Sequence, residues 1–222
     1  MVYSATLLQL LDRFNRKERF FLVAYALGNP RFQVSDEFRA ALGKIVGASI
    51  PMDALCFMDY HLDWLYAALI LARASPEEEV FDSPNFMGAT NDDPPFNVNT
   101  NQEDIDLLVA FDEGEDTHLI LVEAKGVTGW GNAQIQSKGR RLRTIFGDEG
   151  NGYPGVIPEF VIASPRRPKR LKEAGLPSFM RKGDPFLWMA LRVPPHRIEI
   201  ERYDKSLSKA LKAGQHWRVK PI

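Results

Sequence analysis

Cysteine is nearly absent from this chain of 222 residues. The single residue Cys56 excludes an internal disulfide bond. The histidines show no pair at metal-ligand spacing, so a zinc site built from cysteine and histidine is also excluded. We therefore expect a protein of a reducing compartment, and we place it in the cytoplasm.

Long hydrophobic runs are missing as well. The most apolar stretch, 64–72, is much shorter than the roughly 20 residues that a membrane-spanning helix requires. The leucines near the N-terminus are soon followed by charged residues, without the small-residue cleavage site of a signal peptide. With 45% hydrophobic and 26% charged residues, the composition is that of a globular domain. We expect no membrane contact.

Lysine and arginine are absent from residues 76–118, although the net charge of the whole chain is only −1. Acidic residues fill that stretch, and basic residues dominate the later stretch 126–182. A basic stripe is typical of a surface that binds a phosphate backbone. The alternative is a solvated helix face followed by a basic loop.

The first part of the chain, from about 6 to 47, has apolar residues at helical spacing. Ser35 is expected to be an N-cap, because Asp36 and Glu37 follow it in the first turn, where the helix dipole favours acids. Gly47 is expected to end this helix.

A further helical region is expected from 53 to 74, apolar on most sides and therefore central in the fold. On such a helix Asp59 and Asp63 would share one face, because they are four residues apart. The stretch 75–102 is rich in proline, glycine and asparagine and is expected to be a long loop.

The clearest pattern is a pair of apolar segments, 105–111 and 119–125, joined by the turn-forming stretch 112–116. It predicts a β-hairpin. Beyond it we expect a helix at 132–146, strands at 159–163, 186–193 and 197–203, and a closing helix at 205–213. This order predicts an α/β fold with a mixed central β-sheet flanked by helices, preceded by a helical N-terminal region.

The second strand of the hairpin ends in a charged pair. Glu123 and Lys125 leave the same face of the strand, because side chains alternate along it. In a symmetric hairpin Asp106 falls opposite Glu123, and opposed Cβ atoms are about 4.5–5.5 Å apart. A divalent cation would remove the repulsion between two such carboxylates, and their hard oxygens suit Mg²⁺ or Mn²⁺. For the Glu-x-Lys pattern alone, a surface salt bridge would be the better interpretation.

Asp106, a spacer and then Glu123-Ala124-Lys125 resemble the signature of the PD-(D/E)XK nucleases, although Ile105 stands where the motif has proline. The following helix carries Gln134 and Gln136. Of these, Gln134 with its aliphatic neighbour is more similar to the glutamine motif of RecB-like members. The resemblance implies a restriction-endonuclease-like core in residues 51–222, with a helical region at 1–50, together forming one compact unit.

The resemblance also implies a metal site. Asp106 and Glu123, together with the Ala124 carbonyl, would bind Mg²⁺ or Mn²⁺. Some members add an acid from the first helix, for which Asp63 is the first candidate and Asp59 the second. The metal would activate a water and polarise the phosphate.

The remaining roles implied by the resemblance concern substrate. Lys125 would orient the attacking water and stabilise the charge that develops on phosphorus, and Gln134 would position the water or the phosphate. The tyrosine that family members carry four residues after the glutamine is replaced by a lysine here. Basic residues of this helix would neutralise flanking phosphates: Lys138, Arg140, Arg141 and Arg143.

The function expected from this resemblance is metal-dependent hydrolysis of phosphodiester bonds in DNA. A domain of the same fold that binds nucleic acid without cutting it is the first alternative, and a helical interaction protein is the second. The choice between DNA and RNA, the substrate structure and the number of subunits stay open, with a homodimer among the alternatives.

Overall fold

The computed structural model describes residues 5–74, 103–126, 130–183, 186–194, 198–204 and 214–221. The loop expected at 75–102 lies entirely outside the described residues. The helix expected at 205–213 also falls outside them.

The N-terminal region is helical, as expected, with α1 at Leu7–Phe14, α2 at Glu18–Ala26 and α3 at Asp36–Val46. The Ser35 side chain caps α3 by accepting a hydrogen bond from the backbone N–H of Phe38. Gly47 ends α3 in a left-handed conformation with φ of 79°, which glycine adopts without steric cost.

Five strands of the described chain form one mixed sheet in the order β1-β2-β3-β4-β5. The first three are antiparallel, whereas β4 and β5 run parallel to β3. The parallel step from β3 to β4 is made through helix α5 at Asn132–Phe146. The strands are β1 at Leu55–His61, β2 at Asp104–Glu113, β3 at Asp116–Ala124, β4 at Val156–Ser164 and β5 at Leu187–Ala190.

The region from residue 53 onward differs from the expectation of a single helix. It forms strand β1 first and only then helix α4 at Leu62–Leu71. An apolar run buried on both sides does not distinguish a central strand from a buried helix. Hydrogen-bonded pairing with β2 is what makes this segment a strand. Asp59 therefore lies on β1 and Asp63 in the first turn of α4, so the two do not share a helix face.

The sheet separates two hydrophobic cores. Leu119 and Leu121 point into the larger core, which α1, α4 and α5 cover. Ile120 and Val122 point into the smaller core, which is closed by α3 through Leu42. None of the described helices is long and apolar enough to cross a membrane.

The remaining described elements lie near the C-terminal part of the chain. A short 3-10 helix at Ser178–Arg181 packs beside β4. Strands β6 at Ile198–Tyr203 and β7 at His216–Pro221 pair with each other in a separate antiparallel sheet. The sequence pattern indicated β6 but not β7.

Candidate active site

The two acids of the motif lie at adjacent strand ends. The β2–β3 ladder pairs Phe111 with His118, as the symmetric hairpin predicted, and extends to the pair Leu107–Val122. Asp106 and Glu123 follow immediately after that last pair. The backbone N–H of Ala124 donates to Asp106 Oδ2 at 2.6 Å, which fixes the Asp106 carboxylate at the end of β3.

Glu123 is almost completely buried, with 2% of its surface exposed. Burial raises the pKa of Glu123, the nearby Asp106 raises it further, and Lys138 opposes both effects. Lys138 Nζ lies 2.5 Å from Glu123 Oε2, and Lys125 Nζ lies 3.9 Å from Glu123 Oε1. The Gln134 side chain donates to Glu123 Oε1 at 3.3 Å. Four side chains of the predicted region thus meet around one carboxylate.

Helix α5 supplies three of the polar contacts in this pocket from a single face. Gln134, Lys138 and Arg141 are four and then three residues apart, which places them one above another on a helix. The first two contact Glu123, and Arg141 forms a buried ion pair with Asp63. Gln136 points elsewhere and donates to the carbonyls of Lys172 and Ala174. The structure therefore associates Gln134, rather than Gln136, with the motif.

The basic residues of α5 do not form the exposed stripe that the sequence suggested. Lys138 and Arg141 are each only 4% exposed, because both reach inward to pair with buried acids. Arg143 is half-buried and bonds to Asp148 and to the Gly175 carbonyl. Arg140 is also half-buried. The acidic partners are remote in sequence, so helical spacing alone could not reveal that these cations face inward.

Asp63 has a structural partner. It is buried, its carboxylate pairs with Arg141, and its backbone N–H donates to His61 Nδ1 at 3.2 Å. Among the described residues, no group of three or more Asp, Glu, His or Cys side chains is arranged to hold a metal ion. A metal at Asp106 and Glu123 would therefore draw its other ligands from backbone carbonyls, water and phosphate, a common pattern for Mg²⁺.

Two acids that the sequence interpretation did not single out also belong to the pocket. Burial raises the pKa of Glu103, whereas Lys138 and Arg141 oppose that effect. Asp104 accepts from Lys17 through Oδ2 at 2.7 Å, and its backbone carbonyl accepts from Lys138 at 2.5 Å. The acidic run that opens β2 was the available signal for both residues.

An exposed basic segment begins at the same edge of the sheet. Because β4 is parallel to β3, its end at Ala163 lies beside Ala124, and the backbone N–H of Lys125 donates to the Ala163 carbonyl. The chain leaves β4 there and enters residues 166–172, which we call the basic segment. Its exposed cations are Arg166, Arg167, Lys169, Arg170 and Lys172.

Side chains of α5 hold the basic segment against the helix. Asn132 accepts from the backbone N–H of Lys172 at 2.8 Å and donates to the Arg170 carbonyl at 3.3 Å. Gln136 adds its two bonds one turn further along. The same helix therefore positions the buried pocket with one face and the basic segment with another.

Comparisons with known proteins identify no relative. No protein-family model, curated protein or solved structure matches the chain.

Proposed function

We propose that this chain is a metal-dependent nuclease of the PD-(D/E)XK type that hydrolyses phosphodiester bonds in DNA. The observation that supports this most directly is the convergence of Asp106, Glu123, Lys125 and Gln134 at the ends of β2 and β3. The element order also resembles a restriction-endonuclease-like core: a helix, an antiparallel hairpin with the acids, a helix and a parallel strand.

The donor set suits a hard divalent cation. Asp106 and Glu123, with the Ala124 carbonyl, would hold Mg²⁺ or Mn²⁺, which when bound polarises a phosphate and lowers the pKa of a coordinated water. Asp63, expected from the sequence as a further ligand, is assigned instead to holding Arg141 in the pocket wall, because its carboxylate faces that guanidinium.

Lys125 is the cation of the motif placed for contact with substrate. It is 20% exposed, whereas Lys138 is buried, and it lies on the same strand face as Glu123. Its ammonium would orient the attacking water and stabilise the charge that builds on phosphorus. Gln134 would keep the Glu123 carboxylate aligned through its hydrogen bond.

The basic segment would contact the flanking phosphates. It is exposed, rich in arginine and lysine, and starts beside Lys125. Phosphate contacts of this kind set the position of a nucleic acid without reading its sequence. In this proposal the basic segment takes over the role that the sequence assigned to α5.

Cleavage assays test the catalytic part of the proposal. Linear, branched and single-stranded DNA would be incubated with excess protein in Mg²⁺, Mn²⁺ or EDTA. The wild type should cleave at least one substrate in a metal-dependent way, and Glu123→Gln should not. Glu113→Gln, at the opposite end of the hairpin, is the matched control and should cleave normally. If the wild type binds DNA but cuts none of these substrates, the non-cutting alternative replaces this proposal.

Salt-dependent binding tests the DNA contact. Each phosphate contact contributes about 0.9 to the slope of log affinity against log salt concentration. Arg166→Gln combined with Lys169→Gln should therefore lower the slope by about 2, measured by fluorescence anisotropy. Lys44→Gln, on α3, should leave the slope unchanged. An unaltered slope in the double variant would remove the basic segment from the interface.

A further inference from the structure

Lys138 is bound in the pocket as a metal cation would be. Its ammonium lies 2.5 Å from Glu123 Oε2 and 2.5 Å from the Asp104 carbonyl oxygen. Both partners are hard oxygens at the ends of β2 and β3, the donor type that Mg²⁺ prefers. A buried lysine is costly unless it is paired, so these contacts explain why the side chain points inward.

The charge of the pocket is balanced without a metal. Glu123 faces two ammonium groups, those of Lys138 and Lys125, while Asp106 is the neighbouring carboxylate that opposes its ionisation. A divalent cation added to this buried arrangement would meet the Lys138 charge at close range, where the protein interior screens repulsion poorly. An ion that uses Glu123 Oε2 must therefore displace the ammonium.

We propose that Lys138 is an internal counter-cation that holds Glu123 in the metal-free protein and competes with the divalent ion for it. The lysine side chain is suited to this role, because its charge sits on a flexible four-carbon stem. Glu103 lies close enough to interact with Lys138 electrostatically, and it would be a further partner for the displaced ammonium. Lys138 thus acts as a positioning residue that sets metal affinity; this inference rests on the proposed function.

Metal titration without DNA tests the competition. Mn²⁺ affinity would be measured by calorimetry and by the EPR signal of free Mn²⁺ for the wild type, Lys138→Met and Lys17→Met. Lys17 is the matched control, because it pairs with Asp104 and does not contact Glu123. Loss of Lys138 should tighten Mn²⁺ binding by roughly 5- to 150-fold, the usual range for coupling between two binding events. The control should bind as the wild type does.

Thermal unfolding gives a second readout that does not depend on activity. Lys138→Met leaves Glu123 buried without its closest cation, so the variant should unfold at a lower temperature without metal. Mn²⁺ should then raise its Tm by more than it raises that of the wild type. Lys138→Gln, which keeps a hydrogen-bond donor, undergoes the same titration if the methionine variant does not fold.

The outcomes separate the two proposals. Tighter Mn²⁺ binding by either Lys138 variant, abolished when Glu123→Gln is added, supports the competition. Equal or weaker binding by the Lys138 variants overturns the competition but leaves the nuclease proposal standing. Absence of Mn²⁺ binding in the wild type and in all variants overturns both.

Discussion

The two ends of strand β3 differ in how closely their buried charged groups are paired. At its C-terminal end Glu123 is paired with Lys138 at 2.5 Å, and Asp63 is paired with Arg141 close by. At its N-terminal end His118 lies between two glutamates, 3.2 Å from Glu113 and 3.8 Å from Glu159. The first arrangement is tightly paired, whereas the second is loose.

Buried polar atoms without hydrogen bonds occur at both ends, so it is the distance between the charges that separates them. Among the described residues, His118 Nδ1 and Glu159 Oε2 at one end and Asp104 Oδ1 at the other have no hydrogen-bond partner. The His118 ring instead stacks on Phe111, with ring centroids 4.9 Å apart. The partners at this end come from neighbouring strand positions, so ordinary sheet packing brings them together.

The close pairing at the C-terminal end of β3, the tight end, forms only when several elements of the fold have packed together. Its charges come from β2, β3, α4 and α5, and α5 must be docked before Lys138 and Arg141 can meet their acids. A set of remote charges held at short distances is the arrangement expected of a preorganised site. The comparison therefore favours the C-terminal end of β3 as the functional end.

The largest expected effect tests whether the tight pairing is essential. Arg141→Met leaves the buried Asp63 carboxylate without its guanidinium, and breaking such a pair should cost about 3–5 kcal/mol in the free energy of unfolding. Arg192→Met removes an exposed partner of Glu37 and should cost less than about 1 kcal/mol. Urea unfolding of both variants measures the difference. Equal losses would erase the contrast between a buried and an exposed pair.

Lys125→Met tests whether the tight end performs chemistry. Loss of one group that stabilises the transition state costs about 2.7–4 kcal/mol, or roughly a hundred- to thousandfold in rate. The single-turnover cleavage rate should fall by that factor, while DNA affinity stays within about threefold. Lys172→Met, in the basic segment, should show the opposite pattern of weaker binding with a nearly unchanged rate at saturation. A normal rate in Lys125→Met would exclude this lysine from the mechanism.

The loose end should be visible in the pH dependence of stability. Burial raises the pKa of Glu159 above its ordinary value of 4.5, although Lys182 and His118 partly oppose this. Between pH 4.5 and the raised pKa, the Glu159 carboxyl is therefore protonated in the folded protein and ionised in the unfolded chain. The resulting stabilisation is complete below pH 4.5 and is lost as pH rises through the raised pKa.

Glu159→Gln isolates this effect. Relative to the variant, the wild type should lose free energy of unfolding as pH rises above 4.5. The exposed Glu113→Gln serves as the comparison, because it removes the other glutamate beside His118. Parallel stability curves for the wild type and Glu159→Gln between pH 4 and 8 would show that burial of Glu159 has no energetic consequence.

The smallest expected effect concerns Asp59, which lies on β1 between the paired residues Met58 and Tyr60 and is itself absent from the β1–β2 register. Its φ of 53° places it in the left-handed region, and its side chain pairs with the exposed Arg19 at 2.9 Å. Asp59→Ala should cost less than about 1 kcal/mol, because aspartate already carries the Cβ penalty of this conformation and is only somewhat better tolerated there than alanine. Asp59→Gly should cost less, since glycine adopts it freely. Arg19→Ala controls for the ion pair, and equal losses in all three variants would argue against backbone strain.

Local features of the fold could be predicted from sequence. The hairpin register from Phe111–His118 onward and the bounds of α5 follow from short-range periodicity and turn residues. Strand β1 could not be predicted, because its partner β2 lies more than forty residues later, and an apolar run fits either a helix or a buried strand.

Only the part of the pocket that depends on local structure could be predicted from sequence. The positions of Asp106 and Glu123 depend on the local hairpin, whereas the direction of Lys138 and Arg141 depends on acids brought in by β3 and α4. Sequence spacing did not decide whether Gln134 or Gln136 is the glutamine of the motif. Their contacts distinguish them, because Gln134 bonds to Glu123 and Gln136 bonds to the Lys172 carbonyl. The catalytic role of these residues stays a prediction.

The docking of the basic segment on α5 has a consequence for how this surface can evolve. The helix holds the backbone of that stretch through Asn132 and Gln136, and beyond the segment Gly139 leaves room for Leu176 to pack against the helix. The helix thus fixes much of the path of the chain, and of the segment's cations Arg167 adds a bond to the Phe186 carbonyl. Mutations at Arg166, Lys169, Arg170 and Lys172 can therefore change the charge of this surface while the helix keeps the backbone in place.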